Sequence, residues 1–293
     1  MRLTDGGLET SLIFHQGLDL PHFAAFPLVE SADGRRALRA YWRPYVDVAR
    51  EHGAGFVLDT ATWRANPDWA TRLGYDGAGL RGANAEATAF ARELARDLDD
   101  ATINGVVGPR GDGYVVEDAM TAEAAQRYHE PQLRALADAG VDQVAAITMT
   151  YAEEAIGFAR AAAQLGVPSL VSFTVETDGR LPSGQPLRDA VEHVDRETDA
   201  APAGYMINCA HPTHFADALV DGEWLGRVTG VRANASTMSH AELDAAEELD
   251  DGDPADLAER YRDLVSKLPQ LRVLGGCCGT DDRHIRAIAS ACL

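Results

Sequence analysis

Residues 143–174 read QVAAITMTYAEEAIGFARAAAQLGVPSLVSFT. An apolar run, Gln143–Thr148, leads into an amphipathic stretch, Glu153–Leu165, and then into a second apolar run, Ser169–Thr174. Short apolar runs suit strands buried on both faces, and the longer stretch suits a helix. Strands joined through a helix run parallel, because a tight hairpin is ruled out. The same unit recurs outward in both directions. Further candidate strands are Arg2–Asp5, Gly55–Thr60, Ile103–Gly108, Gly204–Cys209, Arg227–Ala233 and Arg272–Cys277. Further helical stretches are Arg35–His52, Gly82–Asp99, Ala122–Ala139, Leu187–Thr198, Thr213–Val220, Ala255–Leu268 and Asp281–Ala291. In the first of these, Leu38, Tyr41, Trp42, Tyr45, Val46 and Ala49 fall at helical spacing and mark the buried face.

Eightfold strand–helix alternation predicts an α/β fold, a (β/α)8 TIM-type barrel. An open doubly wound sheet is the alternative, but no Gly-x-Gly-x-x-Gly turn follows the first strand. A length of 293 residues fits one barrel without remainder, and no linker breaks the composition. One domain spanning residues 1–293 is expected. Two loops are long, Gly108–Met120 and Asn234–Pro254. The first holds Tyr114, a candidate cover for the site. The second holds Ser239, which has the look of an N-cap before a short acidic helix.

The formal net charge is -20, which argues against nucleic-acid binding. Lys267 is the only lysine. The opening residues turn polar at once, and no apolar run is long enough to span a membrane. A soluble, cytoplasmic protein without nucleic-acid or membrane partners is expected, and its oligomeric state is not legible. Four cysteines are too few for a disulfide scaffold, so a reducing compartment is expected.

Active sites of such barrels lie at the carboxyl ends of the strands. Asp5-Gly6-Gly7, Asp59-Thr60, Thr148, Asn208-Cys209, Asn234 and Cys277-Cys278 all fall there. Three of the four cysteines thus share one rim. Neighbouring cysteines make poor disulfide partners, because the bond wants Cα atoms farther apart. Three thiolates with no fourth protein ligand suit an open zinc site instead, with one position left for a substrate. Gly275, Gly276 and Gly279 are expected to free the backbone so that both Cys277 and Cys278 reach one ion. Thr280 is expected to cap the last helix, which would place Cys278 beside a helix N-terminus and lower its pKa. His211 and His214 follow Cys209 closely, but a helix beginning at Pro212-Thr213 takes them away from the ion.

An all-sulfur site suits thiol activation. A free thiol has a pKa of about 8.5, and gaining about 1.5 units of ionisation is worth roughly 2 kcal/mol. Sulfur ligands also leave the bound thiolate electron-rich, whereas hydrolytic zinc usually carries nitrogen and oxygen ligands.

These residues resemble the homocysteine S-methyltransferase family of zinc-dependent barrels, nearly end to end. The motifs are Gly275-Gly276-Cys277-Cys278-Gly279-Thr280 with His284-Ile285-Arg286, Asn208-Cys209, Asp5-Gly6-Gly7-Leu8-Glu9-Thr10, and Ser172-Phe173-Thr174 with Asp178-Gly179-Arg180-Leu181-Pro182. The resemblance implies that Cys209, Cys277 and Cys278 hold zinc while an acceptor thiol such as homocysteine takes the fourth place. It implies an onium methyl donor, S-methylmethionine or S-adenosylmethionine, with methionine as the product and methionine biosynthesis as the setting. Asp5, Gly6 and Gly7 would position the acceptor's amino-acid end, with Thr148 and Asn208 in support.

The chain departs from the family at Ile147, where members usually carry a glutamate that meets the acceptor's ammonium. Glu176 and Asp59 are the candidate substitutes. Ala233-Asn234 and Asp59-Thr60-Ala61-Thr62-Trp63-Arg64 also differ from the family pattern. Two alternatives follow: alkyl transfer to a different thiol, or a non-catalytic barrel that binds a thiol or a metal.

Overall fold

All eight predicted strands form, and they close into one parallel barrel. They are β1 (Arg2–Leu3), β2 (Gly55–Asp59), β3 (Ala101–Val107), β4 (Gln143–Met149), β5 (Ser169–Phe173), β6 (Gly204–Asn208), β7 (Val228–Ala233) and β8 (Val273–Gly276). This computed structural model describes residues 1–220 and 222–293. β1 closes the ring, pairing Leu3 with Phe56 of β2 and with Leu274 of β8.

Three apolar clusters result. The largest lies between the strands and the helices around them. Phe26, Ala65 and Leu80 belong to a second. A smaller one fills the barrel interior, where Val106, Ala145, Ile147 and Met206 meet. Inward-pointing polar groups form a chain beside it: Asn104 donates to Asp59 at 2.7 Å, and Gln143 donates to Asn104 at 3.2 Å.

The helix Ala32–Glu51 begins at Ser31, whose hydroxyl accepts from the Gly34 N–H. All six residues predicted for its inner face are buried. Tyr41 and Trp42 also carry polar tips that reach Asp5, each at 3.1 Å. The helix therefore anchors the first turn at the carboxyl rim as well as supplying core.

Several boundaries differ from the sequence reading. β1 stops at Leu3. Short helical turns occupy Leu8–Thr10, Ser11–His15, Pro21–Phe23, Phe26–Glu30 and Pro67–Arg72, too brief for periodicity to reveal. The predicted helix Thr213–Val220 is a single α turn, Pro212–Phe215, followed by a 3-10 turn, Ala216–Ala218. Ser239 does cap His240–Asp244, in a reciprocal arrangement with Glu242.

The last helix, Asp282–Cys292, is capped by Asp281 and His284 rather than by Thr280. The Thr280 hydroxyl instead donates to the Cys277 carbonyl at 2.7 Å. Burial works against an ionised Asp281, but its contacts with His284 and Arg283 outweigh it and hold the carboxyl below its usual range. A depressed carboxyl stabilises the fold above the unfolded-state value of 3.8 and stops doing so as pH falls through the folded-state value. Asp281→Ala should therefore lose about 1 kcal/mol at neutral pH in urea unfolding, with a smaller deficit in acid.

Candidate metal centre and active-site pocket

The carboxyl rim brings the three predicted cysteines together. The Cys209 sulfur lies 2.9 Å from that of Cys277 and 3.6 Å from that of Cys278. Among the described residues this is the only cluster of three potential metal ligands. All four cysteines are free thiols.

Local backbone geometry aims these side chains. Cys209 follows β6 in the left-handed region, with φ 55°. Such a conformation costs a non-glycine residue on the order of 1 kcal/mol and needs surrounding support. Its carbonyl supplies that support, accepting from His240 Nε2 at 2.7 Å and Asn234 Nδ2 at 3.1 Å. On the other side, Gly7 presses against the cysteine turn: a Cβ there would stand 2.7 Å from the Cys277 carbonyl oxygen. Of the glycines around Cys277 and Cys278, only Gly279 has a left-handed φ, 79°. Gly275 and Gly276 answer a different need, close packing against Thr4 and Thr280.

The donor set fits a divalent, thiophilic metal. Zinc with sulfur at about 2.3 Å in tetrahedral geometry wants its ligands about 3.8 Å apart. The 3.6 Å between Cys209 and Cys278 comes close to this, and the 2.9 Å between Cys209 and Cys277 would have to widen around an ion. Hydrogen bonds from Cys209 and Cys278 hold the Cys277 thiol well below its ordinary value, and the charge of Arg232 adds to this. Cys209 and Cys278 are pushed up by hydrogen bonding to Cys277, by burial and by the charge of Cys277. The three thiols titrate as one coupled group, with Cys277 the one held low in the absence of a cation. The cluster alone carries one negative charge comfortably, and three only around a cation.

Asn208 organises the neighbourhood. Its Oδ1 accepts from the Thr148 N–H at 3.0 Å and the Ser172 hydroxyl at 2.6 Å. Its Nδ2 donates to Thr148 Oγ1 at 2.8 Å and reaches Cys277 Sγ at 3.8 Å. Thr148 has φ 69°, at a register shift between β4 and β5. Thr148 lines the pocket, whereas Asn208 stands behind it.

The other predicted positions are partly engaged. Asp5 accepts from Arg232 Nη2 at 2.6 Å as well as from Tyr41 and Trp42. Asp59 pairs with the same arginine. The Gly7 N–H donates to the Thr280 carbonyl at 3.0 Å. Glu176 is bound to His240 Nδ1 at 3.0 Å and does not line the pocket. His211 and His214 turn to Thr213 and the Thr237 carbonyl, away from the sulfurs.

A cavity of about 250 Å³ stands over the cysteines, lined among others by Phe23, Trp63, Tyr114 and Ile147. The Tyr114 hydroxyl lies 3.4 Å from Cys209 Sγ and 3.6 Å from Cys278 Sγ. Its ring stacks on His240 with centroids 4.0 Å apart. The long loop after β3 therefore covers the sulfurs, as its position suggests. Arg232, Arg64 and Glu9 are among the lining residues to which the sequence gives no role. Arg232 had a signal, an arginine inside an otherwise apolar strand, since such a charge must find partners. Glu9 lay within a quoted motif without a role. Burial pushes its carboxyl up to about 7, with the Cys277 and Asp5 charges adding and Arg64 opposing.

A family profile for homocysteine S-methyltransferase matches residues 2–292. Homocysteine S-methyltransferase of Escherichia coli strain K12 is 30% identical over 248 residues, covering 78% of this chain and 77% of that protein. Homocysteine S-methyltransferase 4 of Zea mays is 25% identical over 320 residues, covering 99% and 88%. Among solved structures, the metallated form of the homocysteine methyltransferase MmuM from Escherichia coli superposes with a TM-score of 0.75 at 24% identity, covering 99% of this chain and 96% of that one.

Proposed function

The chain belongs to the homocysteine S-methyltransferase family and is a methyltransferase; from that premise we propose that it methylates a small-molecule thiol at the Cys209, Cys277 and Cys278 cluster, with zinc as the resident metal. Residues 1–293 act as one catalytic unit in this reading. The donor is an onium compound, S-methylmethionine or S-adenosylmethionine. The observation that carries the proposal is the convergence of three sulfurs beneath a small covered cavity. Zinc held there would keep a substrate thiol ionised at neutral pH.

The chain's own residues supply position and dryness. Asn208 fixes Thr148 and steadies Cys277. Tyr114 covers the sulfurs, and Ile147 with Val106 gives the cavity an apolar wall. Water is thereby kept from the methyl group, which the acceptor sulfur attacks as the donor's carbon–onium bond breaks. Aromatic faces at Phe23 and Trp63 suit an onium cation. Four free cysteines, three of them clustered, fit a reducing compartment such as the cytoplasm. No described helix is long and apolar enough to cross a membrane.

Ile147 favours a second reading, methyl transfer to a thiol other than homocysteine, because an apolar side chain offers an ammonium nothing. A product screen tests both. Zinc-loaded protein is incubated with each donor and a panel of thiols, and mass spectrometry follows the gain of a methyl group. Methionine formed from homocysteine supports the first reading, and preference for another thiol supports the second. Methylation of no thiol by any donor would overturn both.

A further inference from the structure

The cavity wall holds two ionisable side chains, one acidic and one basic, that form no salt bridge among the described residues. Among the lining acids, Asp5 and Asp59 both pair with Arg232. Asp112 is exposed and accepts the Tyr114 and Val115 N–H groups of its own loop. Asp244 is exposed on a short helix. Glu9 differs from all four: it is partly buried, and its carboxylate meets its own backbone N–H but no other side chain among the described residues.

Arg64 is the basic counterpart. It is 6% exposed and sandwiched between Trp63 and Trp69, 4.1 and 4.0 Å from their ring centres. Its Nη1 donates to the Gly111 carbonyl at 2.8 Å, and its buried Nε has no partner. No carboxylate pairs with it among the described residues. Arg64 feels the charge of Asp112 first and of Glu9 second, yet it forms an ion pair with neither. Burying unlike charges apart is costly, and a ligand that meets both removes the cost.

Both groups are tied to the sulfurs. The turn that carries Glu9 is strapped to the cysteine turn, since the Gly279 N–H donates to Thr10 Oγ1 at 3.3 Å. Arg64 is tethered to Gly111, in the loop that lays Tyr114 over Cys209 and Cys278. A small molecule with its sulfur at the cysteines and a zwitterionic end on this wall would satisfy both charges.

We propose that Glu9 and Arg64 form a cradle for the amino-acid end of the thiol acceptor, Glu9 receiving the α-ammonium and Arg64 the α-carboxylate. The proposal rests on the thiol-methyltransferase reading and deepens it. The acceptor is a free amino-acid thiol, although Ile147 is apolar, because the acid lies on the first turn of the rim instead of at the end of β4. Arg232 and Asp5 then belong to the barrel framework, and recognition of the zwitterion falls to Glu9 and Arg64.

The test separates binding from turnover. Calorimetry on the zinc-loaded protein compares methionine with its desamino and decarboxylated analogues, none of which requires methyl transfer. Wild-type protein should bind methionine about tenfold or more tightly than either analogue, the scale of one charge-assisted contact. Glu9→Gln should weaken methionine by a similar factor and close its gap over the desamino analogue only. Arg64→Met should close the gap over the decarboxylated analogue, and Arg64→Lys should reopen part of it. Equal weakening of all three ligands, or wild-type protein that does not distinguish them, would overturn the cradle. In turnover, the variants should raise the KM of the thiol. A rise confined to the KM of the onium donor would overturn its assignment to the acceptor. Wild-type protein that methylates no thiol defeats the functional reading, while the calorimetric pattern still decides the cradle.

Discussion

Cys277→Ser is expected to strip most of the metal from the purified protein and to lower kcat/KM by roughly a thousandfold, the loss that follows when a nucleophile is no longer activated. Three features make Cys277 the most sensitive of the cluster. It lies 2.9 Å from Cys209 Sγ and within reach of Asn208 Nδ2. Its thiol is the one held below the ordinary value, by hydrogen bonds from the neighbouring thiols and by the charge of Arg232. A serine hydroxyl ionises far less readily and is a harder ligand, so it restores neither the charge nor the softness that zinc selects. Metal content by elemental analysis and turnover should fall together. Chelation of wild-type protein should reproduce the loss, and added zinc should reverse it. Full metal retention when Cys209, Cys277 and Cys278 are all replaced by serine would remove the basis of the functional proposal.

The barrel was legible because each strand is a short apolar run separated from the next by a stretch with helical spacing, and those two patterns survive in the sequence. The cysteines were legible because strand ends share one rim, so residues distant in sequence become neighbours once the topology is known. What escaped is what depends on side chains meeting across the rim. Asp5 reads as a substrate residue, but nothing near it in sequence announces Arg232, which reaches it from β7. Ile147 reads as a lost contact, yet compensation by Glu9 and Arg64 requires seeing which charges remain unpaired. The cap of the last helix failed for a local reason. Thr280, Asp281 and Asp282 are all plausible there, and the Cys277 carbonyl takes the threonine hydroxyl.

Arg232→Met should destabilise the fold by about 3–5 kcal/mol, the usual result of breaking a buried ion pair from one side. The guanidinium binds Asp5 through Nη2 and Asp59 through Nη1, and its Nε donates to the Gly276 carbonyl at 3.2 Å. It thereby joins β7 to the start of the chain, to β2 and to β8. Removing it leaves two buried carboxylates facing each other. Asn104 still serves Asp59, and Tyr41 and Trp42 still serve Asp5, but none of these donors carries a charge. At least one acid must then take up a proton, so the deficit should shrink as pH falls toward the carboxyl range. Urea unfolding at neutral and acidic pH measures this directly. Combining Arg232→Met with Asp5→Asn and Asp59→Asn should recover much of the lost stability, because no unpaired charge remains. The recovered protein is the informative one for function. If it folds as well as wild type yet binds metal more weakly, the Nε contact to Gly276, next to Cys277, sets the cysteine turn. If metal affinity is unchanged, the arginine serves the barrel alone, and alignment of the sulfurs rests on Asn208 and the packed glycines.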